Sequence, residues 1–163
     1  MLLRPLGASG LQVSRLGLGT ISWGRDVEWP AARDLLHEFV GAGGNLVDVS
    51  PAYGAGVAEK MVGKALAAGL PRESLVIATK AGFVVRDTRR VIDTSRGALL
   101  DDLEQSHRRL KTDHVDLWQV HAWVSAPIEE TLSALDTAVA RGMARYVGVA
   151  IFVGWQTATA ATW

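Results

Sequence analysis

The sequence predicts an α/β protein of the (β/α)8 TIM-barrel type, present as an incomplete barrel of about five βα units behind an N-terminal β-hairpin. Three observations carry that expectation. Short β-branched runs alternate with helical stripes at intervals of about 30 to 40 residues, the mark of right-handed βαβ crossovers and a parallel sheet. The first βα turn, Gly17-Leu-Gly-Thr-Ile-Ser-Trp-Gly24, keeps only a first pair of glycines, so the G-x-G-x-x-G fingerprint of a doubly wound dinucleotide fold is missing. Titratable residues stand instead at the ends of several different strands, where a barrel puts its chemistry.

The elements follow in chain order. Leu2-Leu-Arg-Pro-Leu6 and Leu11-Gln-Val-Ser-Arg15 flank Gly7-Ala-Ser-Gly10, which predicts a hairpin over 1–15. Leu16-Gly-Leu-Gly-Thr20 is a short apolar strand. Past Pro30, Ala31, Leu35, Leu36, Phe39 and Val40 recur at helical spacing and stop at the breaker run Gly41-Ala-Gly-Gly44. Asn45-Leu-Val-Asp-Val49 is a strand by its β-branched content. Residues 57–68 set Val57, Met61 and Ala65 on one helical stripe, with Glu59, Lys60 and Lys64 off it. Ser74-Leu-Val-Ile-Ala-Thr-Lys80 reads as a buried strand.

Leu99, Leu103 and Leu110 share a helix face within 95–110, and His107, four residues after Leu103, is expected to pack there. Val115-Asp-Leu-Trp-Gln-Val-His121 is the next strand. Ile128, Leu132, Leu135 and Val139 form a stripe entered through Ser125-Ala-Pro127. Arg145-Tyr-Val-Gly-Val-Ala-Ile-Phe152 closes the series, and a further helix starts near Trp155. The expectation is one domain over 1–163: hairpin 1–15, βα units 16–163, and the C-terminal strands of the barrel absent.

Composition narrows the function. Lys plus Arg and Asp plus Glu each number 17, so bulk charge favours neither nucleic acid nor an anionic membrane. There is no cysteine, hence no disulfide framework and no thiolate metal site. Met1-Leu-Leu-Arg-Pro breaks too early for a secretory leader, and no uncharged apolar run nears the roughly 18 residues of a membrane span. These features point to the cytoplasm.

Asp48 poses the chemical question. A carboxylate among Leu46, Val47 and Val49 costs several kcal/mol, about the penalty of an unpaired buried ion, unless a cation meets it. Strand ends supply one. The strand with Asp48 is followed by Tyr53; the next ends in Lys80, and the one after in His121. Taken singly, each has an ordinary structural role. Together, at the C-terminal rim, they predict one pocket in which Lys80 neutralises Asp48. An ammonium beside a phenol favours the phenolate, which suits Tyr53 to protonate a carbonyl oxygen. Such general acid catalysis is worth about 10² to 10⁴ in rate. A neutral His121 could donate to the same oxygen and orient it. His37, His107 and His114 lack metal-ligand spacing, so no metal is implied. Two alternatives stay open: a Schiff-base lyase using Lys80, which Asp48 opposes by keeping the amine charged, and a non-catalytic half-barrel that self-associates through open edges.

These residues resemble the aldo-keto reductase family, from the hairpin to about residue 152. The resemblance lies in Gly17-Leu-Gly-Thr-Ile-Ser-Trp-Gly24, in Asn45-Leu-Val-Asp-Val-Ser-Pro-Ala-Tyr-Gly54 with Glu59 and Gly63, and in Ala78-Thr-Lys80. It continues through the Ser106-x-x-Arg109 run to His121 and Pro127-Ile-Glu-Glu-Thr-Leu. It implies a barrel plugged at its base by the hairpin, NADPH bound in extended form across the top, and a small aldehyde or ketone as substrate. It implies Asp48, Tyr53, Lys80 and His121 as the catalytic tetrad, with Gly19, Thr20 and Trp23 near the cofactor or the pocket wall. Ala150 and Ile151 stand where the family carries Ser and Asn for the nicotinamide carboxamide, and Val124 where an acid is common. Strands six to eight, with the stacking ring and the 2′-phosphate grip, are expected to be missing. The chain alone is therefore expected not to turn over a carbonyl.

Overall fold

A computed structural model describes residues 1–86, 89–123 and 126–162. Val124 and Ser125 lie outside the described residues. The hairpin is β1 (Leu3–Pro5) with β2 (Gln12–Ser14), antiparallel. Then come β3 (Gly17–Gly19), α1 (Trp29–Gly41), β4 (Leu46–Asp48), α2 (Val57–Ala67) and β5 (Val76–Ala81). After a second hairpin, β6 (Phe83–Arg86) with β7 (Arg89–Ile92), follow α3 (Arg96–Leu110), β8 (Val115–Val120), α4 (Ile128–Ala140), β9 (Ala144–Val149) and α5 (Gly154–Ala161). Among the described residues no helix is long and apolar enough to cross a membrane.

One parallel sheet runs β3-β4-β5-β8-β9, every neighbour joined by a crossover. The helices cover one face of this sheet, where the strands are most apolar. Val47, Val49, Ile77, Val115 and Trp118 are fully buried with Leu36, Val62, Leu99, Leu103 and Leu110 from the helices. Helices α2 and α3 approach so closely that a Cβ on Gly63 would fall 2.2 Å from the Arg109 carbonyl oxygen. Only glycine fits there.

The hairpin sits at the N-terminal end of the sheet. Leu11 and Val13 pack with Val76, Leu46 and Tyr146, and Asn45 pins the strand by accepting from Ser14 N–H at 2.7 Å and donating to Gln12 O at 3.0 Å. Two expectations of exposure were reversed. Leu35 of α1 is largely exposed while Ala32 is buried, so the buried face turns by one residue. Glu59, placed off the apolar stripe of α2 by its charge, is fully buried because Arg109 and Thr79 meet it. The β6–β7 hairpin was not expected, although Phe83-Val-Val-Arg86 and Arg89-Arg-Val-Ile92 carry β-branched residues in both arms.

Candidate active site

The sheet register stacks the polar residues on one face. Asp48 pairs with Ala78, and Lys80 pairs with Gln119, so Asp48, Lys80 and, two residues beyond Gln119, His121 point the same way. Each strand contributes its residue one step higher, the stagger of a tilted barrel wall. Tyr53 comes from the turn Tyr53–Gly56 that follows β4.

The amine of Lys80 is the hub. Its Nζ donates to Asp48 Oδ1 at 2.5 Å, to the Val49 carbonyl at 3.2 Å and to the Tyr53 hydroxyl at 3.2 Å. Tyr53 Oη donates to Asp48 Oδ2 at 3.3 Å. The lysine side chain is only 7% exposed, whereas Asp48 is 39% exposed. The ammonium is thus sunk into the wall, with the carboxylate and the phenol between it and the opening. His121 is buried beside them; its ring stands edge-on to Phe83 at 4.6 Å and to Tyr53 at 6.2 Å between centroids. Ser50 Oγ lies 3.3 Å from His121 Nδ1 and fixes the plane of the imidazole.

These groups open into a cleft of about 600 Å3 that Tyr53, His121, Phe83, Ile21, Arg25 and Ile151 help to line. The other expected residues take varied places. Thr20 is fully buried; its Oγ1 and N–H both donate to the Asp48 carbonyl, at 2.9 and 3.1 Å, and so brace the strand end. Gly19 pairs with Asp48 across β3 and β4. Trp23 does not reach the wall: its ring is buried in the core, and Ile21, Gly24 and Arg25 line the cleft instead. Ala150 N–H donates to Val120 O at 2.8 Å, and Ile151 projects an apolar side chain that is 72% exposed.

Sequence reasoning missed Ser50, Phe83 and the Val49 carbonyl. Ser50 lay two residues past Asp48 and could have been found as a partner for His121; a backbone oxygen leaves no such trace. Behind the rim, burial raises the Asp102 carboxyl above the usual range, opposed by the Gly82 N–H that it accepts at 3.0 Å. His107 packs as expected: burial lowers its pKa, and Nε2 bonds the Met143 carbonyl at 3.0 Å.

Comparison with known proteins accords with this geometry. The Aldo/keto reductase family model matches residues 15–162. The chain belongs to the aldo/keto reductase family. Aldo-keto reductase YhdN of Bacillus subtilis (strain 168) is 33% identical over 151 residues, covering 88% of this chain and 45% of that protein. The NADH-specific methylglyoxal reductase of Escherichia coli (strain K12) is 32% identical, covering 90% of this chain and 51% of the relative. An aldo-keto reductase from Bacillus halodurans in its holo form superposes with a TM-score of 0.83 at 34% identity, over 91% of this chain and 50% of the other. The chain therefore spans about half the length of the relatives it matches.

For a family that works with a nicotinamide cofactor, the donor set here divides. A phenol and an imidazole lining one cleft, with an amine bonded to the phenol from behind, fit the reacting end of such a cofactor with its carbonyl partner. The exit of β9 does not fit a carboxamide clamp, since the Ala150 N–H is already engaged and neither side chain there is polar.

Proposed function

We propose that this chain carries the proton-donating part of an NADPH-dependent aldo-keto reductase, which reduces an aldehyde or ketone to an alcohol. One observation carries the reading: the Lys80 amine contacts both Asp48 and the Tyr53 hydroxyl from inside the sheet wall. A bound reduced nicotinamide would supply the hydride. The protein's own residues manage the oxygen. Tyr53 gives its proton to the carbonyl oxygen as negative charge builds there, and Lys80 steadies the phenolate left behind. Asp48 holds Lys80 in place. His121, oriented through Ser50, donates to the same oxygen and sets the carbonyl's approach. Phe83 and Ile21 give the cleft an apolar wall suited to the carbon part of a small substrate.

The choice of NADPH rests on the family resemblance, and the Escherichia coli relative is named as NADH-specific. The competing reading, a non-catalytic half-barrel, is favoured by Ala150 and Ile151 alone. Titration of the six tryptophans' fluorescence with NADPH and NADH separates the two. Saturable quenching, stronger with NADPH, supports the reductase. No saturation with either up to about 1 mM, an affinity near −4 kcal/mol, supports the non-enzyme. In any assembly of this chain that turns over, Tyr53→Phe lowers carbonyl-dependent NADPH oxidation by about 10² to 10⁴. A fully active Tyr53→Phe protein removes the phenol from the mechanism.

A further inference from the structure

The Glu59–Arg109 pair takes no part in the chemistry proposed above, yet it touches both elements that present it. Glu59 is 0% exposed, and its two oxygens are both engaged. Oε2 accepts from Arg109 Nε at 2.5 Å, and Oε1 accepts from Thr79 Oγ1 at 2.6 Å. Thr79 immediately precedes Lys80 on β5, so the two side chains point to opposite faces: one to the helix layer, the other to the cleft. On its far side Arg109 meets the tyrosine turn. A Cβ on Gly56 would lie 2.9 Å from Arg109 Cδ and 3.2 Å from Nε. Gly56, at φ +86°, is the last residue of Tyr53–Gly56, a turn with no side-chain cap of its own. The arginine stem is the floor on which that turn rests. Ser106 Oγ, 3.2 Å from Arg109 Nη2, holds the guanidinium from its own helix.

We propose that the buried Glu59–Arg109 pair is a positioning device that sets the Tyr53 hydroxyl against the Lys80 amine. Arg109 seats the tyrosine turn, and Glu59 ties that seat to the strand that carries the lysine. The circuit runs Lys80, Thr79, Glu59, Arg109, Gly56, Tyr53 and closes through the 3.2 Å amine–phenol contact. A staple between helices would need neither Thr79 nor Gly56, because α2 and α3 already meet at Gly63. A carboxylate with both oxygens bonded, facing a planar guanidinium, holds its partners in one geometry. Positioning to within a fraction of an ångström is what a proton donor requires. The inference rests on the reading of Tyr53 and Lys80 given above.

The chain has two tyrosines, so Tyr146→Phe leaves Tyr53 as the one site for fluorotyrosine, read by fluorine NMR on the full chain. Lys80→Met is expected to displace that resonance and so report the contact itself. Glu59→Gln and Arg109→Lys are expected to displace it too, while Arg96→Met, which breaks a bond between α3 and α4 at Ser133, leaves it in place. If Arg109→Lys fails to fold, Gly56→Ala crowds the turn against the arginine and is expected to move the signal. A parent-position resonance in folded Glu59→Gln, or in folded Arg109→Lys or Gly56→Ala, makes the pair a plain structural staple and overturns the inference. A parent-position resonance in Lys80→Met instead overturns the proton-donating reading itself, and the inference falls with it.

Discussion

Two ion pairs close the two ends of the same sheet, and they are built to opposite rules. At the N-terminal end Arg72 Nη2 donates to Asp116 Oδ2 at 2.7 Å, and the same oxygen accepts the Ile77 N–H at 2.9 Å. The guanidinium also donates to the carbonyls of Leu75 and His114 and to Thr112 Oγ1. The β5–β8 ladder begins only at Ala78 with Leu117, so the Asp116 carboxylate stands in for a main-chain partner just below it. Its side chain is 3% exposed. At the C-terminal end Lys80 and Asp48 are also joined, but the Asp48 side chain stays 39% exposed and the amine turns toward a phenol. A pair saturated by main chain holds the fold. A pair that leaves its carboxylate at an opening is suited to the proposed chemistry, in keeping with the two faces of a barrel.

Removing the carboxylate at the closed end is the severest test of this contrast. Asp116→Ala leaves the Ile77 N–H unpaired and Arg72 without its counter-ion, and is expected to cost about 3 to 5 kcal/mol in urea unfolding. A loss under about 1 kcal/mol would make the lower pair ornamental. The upper pair is expected to behave differently. Lys80→Met keeps the length of the stem and leaves Asp48 able to hydrate, so its stability cost is about 1 kcal/mol or less. The same protein loses the amine–phenol contact. A loss as large as that of Asp116→Ala would place Lys80 among the structural residues.

The contrast also explains what was legible in the sequence. Barrel strands and helices follow from periodicity, and β4, β5, β8 and β9 lie where the β-branched runs put them. Lys80 meets Asp48 as charge alone demands. Glu59 was misjudged for the same reason that Asp48 was noticed. An acid among apolar residues in a strand is conspicuous, but an acid on a helix looks solvated unless the partner, Arg109, 50 residues away, is known. By sequence a large ring beside a glycine turn, as Trp23 is, serves a core or a wall equally well, and packing puts it in the core. The Arg72–Asp116 network could not be read at all, since most of its bonds go to main chain.

A smaller effect probes the rim where it departs from its polar neighbours. Ile151 has φ +50°, a left-handed conformation that a β-branched residue tolerates poorly, and its side chain packs little. Ile151→Asn suits that backbone without the chain entropy that glycine adds, and is expected to raise stability by about 1 kcal/mol in the same unfolding assay. An unchanged or lowered midpoint would show that Ile151 makes up for its strain by packing.

The subtlest test uses a carboxylate that has neither rule's protection. Asp102 lies behind the rim, where burial holds its pKa above the ordinary value against the Gly82 N–H and the Arg109 charge, which favour the carboxylate. The folded state therefore keeps a proton that the unfolded chain has already released. Stability contributed by the protonated acid is full below the unfolded value, near 3.9, and declines as pH rises through the raised folded value. Asp102→Asn cannot titrate, and its amide oxygen can still accept from Gly82. Its stability, measured by urea unfolding from pH 4 upward, is expected to hold level where the parent's declines, and to exceed the parent's at neutral pH by less than the Ile151→Asn gain. Parallel curves for the two proteins would mean that Asp102 is as well compensated as Asp116, and the division between the two ends would then not extend to the helix layer between them.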